Sequence, residues 1–288
     1  MYMLLNLLIF VITLFFYIHI YYHIKKSNYL EVYEVENISK DKFEELCDMK
    51  QPILINNIEL NNDLNLDYLL LNYPNFEIKI KNKETNSIPL PINLIEANEL
   101  FKKDISSNYF SEYNNEFIEE TSLEKYLCTT DNFLKPYFIS NKNYDIILGS
   151  KNSYNKLKSQ LNLRNMFYIN EGSIELTLCT PKDYKYLHVE EDHENLEYYS
   201  MIDIYKVNDK YKKDFDKIKL LRLNINKGQL IQIPPYWFYS IKILEENTII
   251  TNYKYRTYMN CLAISPQLFI KFLQDNNIKR NFTKIISI

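Results

Sequence analysis

Residues Asn226 to Ile241 read NKGQLIQIPPYWFYSI. Lys227-Gly228 is a turn signal, and the apolar run from Gln229 to Ile233 that follows it has strand character. Pro234 and Pro235 lack a backbone N–H, so the strand must end there. The next four residues, Tyr236 to Tyr239, are aromatic and include Trp237, the only tryptophan in the chain. Such a cluster belongs in a core, where large rings bury much apolar surface.

Working outward, LLRLNIN at Leu220 to Asn226 leads into this turn, and TIITNYKYRT at Thr248 to Thr257 supplies another strand. MFYIN at Met166 to Asn170 and IELTL at Ile174 to Leu178 flank Glu171-Gly172-Ser173. Each run joined by a glycine turn is expected to form an antiparallel pair with its neighbour. Nearer the N-terminus, Glu31 to Val35 and Pro52 to Asn56 read as short strands. Between them Ser39 caps a helix running to about Asp48, with Phe43, Leu46 and Cys47 on its apolar face. Leu64 to Leu71 is expected to be helical, and FEIKIK at Phe76 to Lys81 alternates with the period of a half-exposed strand. Residues 82 to 120 carry no clear pattern. Thr121 and Glu124 have the spacing of a capping box before Leu123, Tyr126 and Leu127. Ser265 to Asp275 reads as a capped helix with Leu268, Phe269, Phe272 and Leu273 on one face. The fold class is therefore α+β and mainly β.

Hydrophobic residues make up 46% and charged residues 25% of the 288 residues. That is the composition of a folded chain with a sizeable core. The formal net charge is -3, and the lysine-rich stretches are interrupted by acid, so no basic face for nucleic acid is expected. Cys47, Cys128, Cys179 and Cys261 are far apart, with no metal or redox spacing, and are read as unpaired.

From Tyr2 to Tyr22 there is no formally charged side chain, and roughly 20 apolar residues suffice to cross a bilayer. The absence of a basic n-region and of a small-residue cleavage site favours an uncleaved transmembrane anchor over a signal peptide. Tyr17, Tyr21 and Tyr22 suit a headgroup belt, and Lys25 and Lys26 follow directly, which places the large domain on the cytosolic side of the membrane.

The signature segment, with Trp237 at its centre, resembles the strand pair of cupin-like JmjC proteins, where a glycine turn precedes a strand ending Ile-Pro-x-Tyr-Trp-Trp-His. SMIDIYKVND at Ser200 to Asp209, LTLCTPKDYKYL at Leu176 to Leu187 and NMFYINEG at Asn165 to Gly172 resemble further family stretches. So do ITNYKY at Ile250 to Tyr255 and the N-terminal run from Glu31 to Asn57. The resemblance implies a double-stranded β-helix (cupin or jelly-roll) core over residues 121–262. An N-terminal α/β part would cover 25–120, an anchor 1–24 and a C-terminal helix 263–288.

The family's asparaginyl and lysyl hydroxylases use Fe(II) and 2-oxoglutarate, with metal ligands from His-x-Asp on one strand and a distant His on another. Period two in a strand puts the first pair on one face, and the third ligand completes a facial triad. Counted from Asn165 and Trp237, those positions fall on Ser159, Leu161 and Tyr239. The 2-oxoglutarate lysine falls on Ile174 and its threonine on Lys156. Asn165 and Asn252 persist as remnants of a cofactor pocket, although buried asparagines more often satisfy backbone groups. The chain has four histidines, two of them in the apolar segment. The remaining ligand set, His188, Glu190 and His193 in HVEEDHEN, falls on a variable surface loop of the family and reads as a solvated acidic loop.

The expectation is a membrane-anchored binding or scaffold module without a metal or cofactor, whose protein partner the sequence does not name. An Fe(II)/2-oxoglutarate hydroxylase with an atypical site is the first alternative. A structural membrane-assembly part that dimerises through the C-terminal helix is the second.

Overall fold

The computed structural model describes residues 2–58, 60, 64–83 and 89–286, without side chains at 129–130 and 278–286. The chain opens with α1 (Tyr2–Ile24), then β1 (Tyr33–Glu36), α2 (Lys40–Asp48), β2 (Ile53–Asn56), α3 (Leu66–Asn72) and β3 (Glu77–Asn82). Next come β4 (Leu90–Asn93), α4 (Leu94–Lys103), β5 (Tyr109–Ser111), α5 (Asn115–Glu120) and α6 (Leu123–Thr130). The longer strands follow as β6 (Ile139–Gly149), β7 (Lys158–Gln160), β8 (Arg164–Glu171) and β9 (Ser173–Cys179). A hairpin of β10 (Val189–Asp192) and β11 (Glu197–Ser200) precedes the short α7 (Lys212–Phe215). The chain closes with β12 (Leu220–Asn226), β13 (Leu230–Ile233), β14 (Phe238–Ile243), β15 (Ile249–Thr257), α8 (Tyr258–Ala263) and α9 (Ser265–Ile286).

Two sheets are built from these strands. A nine-stranded sheet has the order β1-β2-β13-β8-β15-β6-β5-β3-β4, and a six-stranded sheet the order β10-β11-β7-β14-β9-β12. The glycine-turn units do not fold back on themselves as the local pattern suggests. β8 and β9 lie in different sheets, as do β12 and β13; instead β8 pairs with β13, and β9 with β12. Each turn is thus a corner where the chain changes sheet, and each unit finds its hydrogen bonds in the other. Gly172 makes the sharper corner: its φ is +76°, and a Cβ there would stand 2.2 Å from Thr248 Oγ1. Only glycine fits both demands.

Parity along the strands sorts the side chains into two cores. Phe167, Ile169, Ile174, Leu176, Ile241 and Ile243 meet between the sheets beside Trp237. Met166, Tyr168, Tyr144, Tyr253 and Tyr255 point from the large sheet into the helices, against Phe43, Phe117 and Leu127. Burying side chains of this size contributes about 1.5–3 kcal/mol each, which is why the short strands hold together.

Ser39 caps α2 by accepting from Lys42 N, as its sequence predicts. The capping box does not form: Thr121 ends α5, its hydroxyl donates 2.6 Å back to Phe117 O, and α6 starts after Ser122 in a left-handed conformation. Phe117 and Ile118 are already committed to the core, so packing ends one helix where the local signal would begin another. Residues 82–120, unreadable in sequence, hold β4, α4, β5 and α5. HVEEDHEN is the outer hairpin of the small sheet and not a loop, because Val189 to Asp192 find ladder partners on β11. All four cysteines are free.

Among the described residues one helix, α1, is long and apolar enough to cross a membrane. Its side chains are exposed from Leu4 to Phe16, whereas His23 in its last turn is buried against the domain.

Candidate functional site

Toward one end, the space between the sheets changes from apolar to charged. The cause is strand parity: Asn165 shares a face with Phe167 and Ile169, and Asn252 and Lys254 share a face with Ile250. From the small sheet, Tyr239 on β14 lies opposite Lys158 on β7, and β11 places Tyr199 beside Lys158 and Glu197 beside Gln160. β5 delivers Glu112 and Tyr113, the latter at φ 67° with its backbone N–H on the Asp145 carboxylate.

Lys158 is the centre of this cluster. Its ammonium donates to Glu112 Oε2 at 2.9 Å and to Tyr113 OH at 2.7 Å, and lies 3.1 Å from Glu197 Oε2. Tyr113 and Tyr199 hydroxyls donate to Glu197, the second at 2.7 Å, and Lys254 stands 3.9 Å from its other oxygen. Burial works against the Lys158 charge, but Glu112 and Glu197 outweigh it and hold its pKa well above the usual lysine range. Burial would likewise raise Glu197; Lys158, Lys254 and the two phenols bring it below the usual glutamate range. Asp145, by contrast, is pushed up by burial despite Lys254 and two backbone donors.

Beside this ion cluster lies an amide chain. Asn162 Nδ2 donates to Gln160 Oε1 at 2.9 Å, and Gln160 Nε2 donates to the hydroxyl of Tyr239. Asn252 Nδ2 donates to Asn165 Oδ1 at 2.8 Å and to Met166 O at 2.9 Å. The two asparagines thus meet, Asn252 donating to Asn165 and to the backbone of β8.

The positions counted from Asn165 need a correction. Ser159 and Leu161 do not share the face of Tyr239: Ser159 lines a separate cavity of about 300 Å³ with Tyr184, Tyr198 and Tyr236, and Leu161 packs on Leu196 and Ile264. The residues facing Tyr239 are Lys158 and Gln160, because β7 and β8 lie in different sheets and the alternation counted from Asn165 does not carry through Leu161, Asn162 and Leu163. Ile174 is buried in the apolar core, and Lys156 is exposed.

A metal does not fit this site. The central place is held by an ammonium, which has no lone pair, an amide whose N–H is turned inward, and a phenol. Among the described residues, no three His, Cys, Asp or Glu side chains converge as a metal site. His188 and His193 are drawn apart, His188 Nε2 lying 2.9 Å from Asp214 and His193 Nε2 3.5 Å from Glu191.

Glu112, Tyr113, Lys158, Gln160, Glu197, Tyr199 and Lys254 escape the sequence reading. The single local signal is the alternation Lys158-Ser159-Gln160, a charged and an amide side chain at strand spacing with no apolar partner between them. Over residues 48–261 the chain matches the family model described as a cupin-like domain. No curated protein matches it.

Proposed function

Because the chain belongs to the cupin-like domain family, we propose that it acts as a membrane-anchored, non-catalytic member, a binding or scaffold module whose metal pocket is filled by its own side chains. The interleaved strand orders support reading the two sheets as the family's double-stranded β-helix. The exposed apolar length of α1 supports its role as a transmembrane anchor.

One observation carries the functional reading. The Lys158 ammonium, clamped by Glu112 and Glu197, lies opposite Tyr239, the position counted for the family's distant metal ligand. A fixed positive charge repels a metal cation, and moving Lys158 aside would strand two buried carboxylates. The test is calorimetric titration of the detergent-solubilised full chain with Mn(II) and then 2-oxoglutarate. No binding of either is expected; micromolar binding of both would overturn the proposal and favour the hydroxylase.

The assembly reading has its own observation in α9, where Phe269 and Phe272 are each 61% exposed and Leu273 lies beside them. Three apolar side chains on one open helix face fit a contact between copies. Sedimentation of the chain with Phe269→Ser and Phe272→Ser against the unaltered chain separates the two: a loss of dimer supports an assembly role.

A further inference from the structure

Where α1 meets the domain, a groove of about 690 Å³ opens along the helix. One wall is the helix itself, from Phe15 to His23; the other is Pro136, Tyr137, Phe138, Tyr258 and Met259. Phe15 precedes Ile24 by nine residues, or about 13 Å at the rise of an α-helix. The 136–138 loop therefore stands alongside the apolar body of the helix, beyond the point where the chain leaves it. The rings on this wall are bare: Tyr137 is 63% and Phe138 85% exposed, and Tyr258, at the start of α8, 68%. Phe138 also adopts φ 56°, a conformation uncommon for a bulky residue.

The floor of the groove is polar and positive. Glu44 is engaged by Arg164 and Lys40, and Asp48 accepts from the hydroxyl of Tyr22. Lys50 is 5% exposed, and its ammonium has no hydrogen-bond or ion-pair partner among the described residues; it lies 4.2 Å from the centre of the Tyr22 ring. Nδ1 of the buried His23 is also unpartnered among them. Lys25, Lys40, Lys50 and Arg164 outnumber Glu44 and Asp48 around this floor.

We propose that this groove binds an anionic glycerophospholipid of the bilayer, its headgroup against Lys50 and its acyl chains along Phe15, Tyr137, Phe138 and Tyr258. The inference rests on the reading of α1 as a membrane span. A lipid is the occupant because one wall is the span itself, whose surroundings are lipid. An anionic headgroup fits because the Lys50 ammonium, on a side chain with little freedom to reach bulk water, has no carboxylate within ion-pair distance among the described residues, and basic pockets beside membrane helices are where such headgroups bind.

The test uses the full chain in nanodiscs of phosphatidylcholine and phosphatidylserine. Phe138→Trp is read by quenching with bromine-labelled acyl chains, with Trp237, 1% exposed in the core, as the unquenched reference. Tyr258→Trp repeats the reading from the same wall should the first variant misfold. Native mass spectrometry then counts the phosphatidylserine retained by the unaltered chain, Lys50→Met and Lys50→Arg. Quenching at either tryptophan, with phosphatidylserine retained by the unaltered and arginine chains and lost from the methionine chain, is expected. A chain that resists carbonate extraction yet shows no quenching, or no preference for phosphatidylserine, overturns the groove and leaves the anchor. A chain that carbonate extracts overturns both.

Discussion

Replacing Lys158 with Met tests the filled pocket most directly. The side chain is 3% exposed and its partners Glu112 and Glu197 are 8% and 1% exposed, so the substitution removes a cation from between two carboxylates that water cannot reach. Lys254, at 3.9 Å from Glu197, is the nearest remaining compensation. Breaking a buried ion pair from one side costs about 3–5 kcal/mol. For a chain of this size that corresponds to a fall in Tm of roughly 6–20 °C. The sign of the pH dependence follows from the two shifts. Glu197 is depressed, so its stabilisation is complete above the ordinary glutamate pKa and is lost as pH falls through its folded value. Lys158 is raised, so its stabilisation is complete below the ordinary lysine pKa and is lost as pH rises through its folded value. Between about pH 5 and 10 both are present. There the deficit of Lys158→Met should be largest, shrinking toward pH 4 as its stranded carboxylates take up protons. Thermal unfolding of the full chain in detergent, followed by circular dichroism from pH 4 to 9, reads both the size and the trend. A variant within about 1 kcal/mol of the unaltered chain at pH 7, no more than an ordinary substitution, would refute the reasoning. So would a deficit that grows on acidification.

Two further outcomes follow from the register and the corners. The triple variant Lys158→His, Gln160→Asp and Tyr239→His should gain Co(II) absorption in the visible range, whereas the same triad at Ser159, Leu161 and Tyr239 should not, because Ser159 and Leu161 face away. Gly172→Ala, with a Cβ 2.9 Å from the Thr248 backbone, should lower the unfolding free energy read from denaturant titration by about 2 kcal/mol or more. Gly228→Ala, where φ is +82° but the Cβ meets open space, should cost only about 1 kcal/mol.

Local chemistry made much of the architecture legible. The charge-free run of α1, the Ser39 cap, the proline-terminated strand before Trp237 and the alternation of β3 each depend on residues within a few positions of one another, and each lies where the sequence places it. The order of family-like segments also carried the cupin-like assignment. Pairing was not legible, because hydrogen bonds between strands join residues distant in sequence: β8 with β13 and β9 with β12, not each with its neighbour across the glycine. The same distance hid the buried ion cluster around Lys158. Glu112, Lys158, Glu197 and Lys254 come from four separated strands or strand ends, and no spacing rule connects them. β7 and β8 lie in different sheets, so alternation counted back along β8 does not carry through the turn, and the inward face holds Lys158 and Gln160 instead of Ser159 and Leu161. The sequence by itself determined that no His-x-Asp pair with a distant His can be assembled in the domain; only the tertiary structure decided that Lys158 is buried between Glu112 and Glu197, because only folding brings the two carboxylates that hold it there.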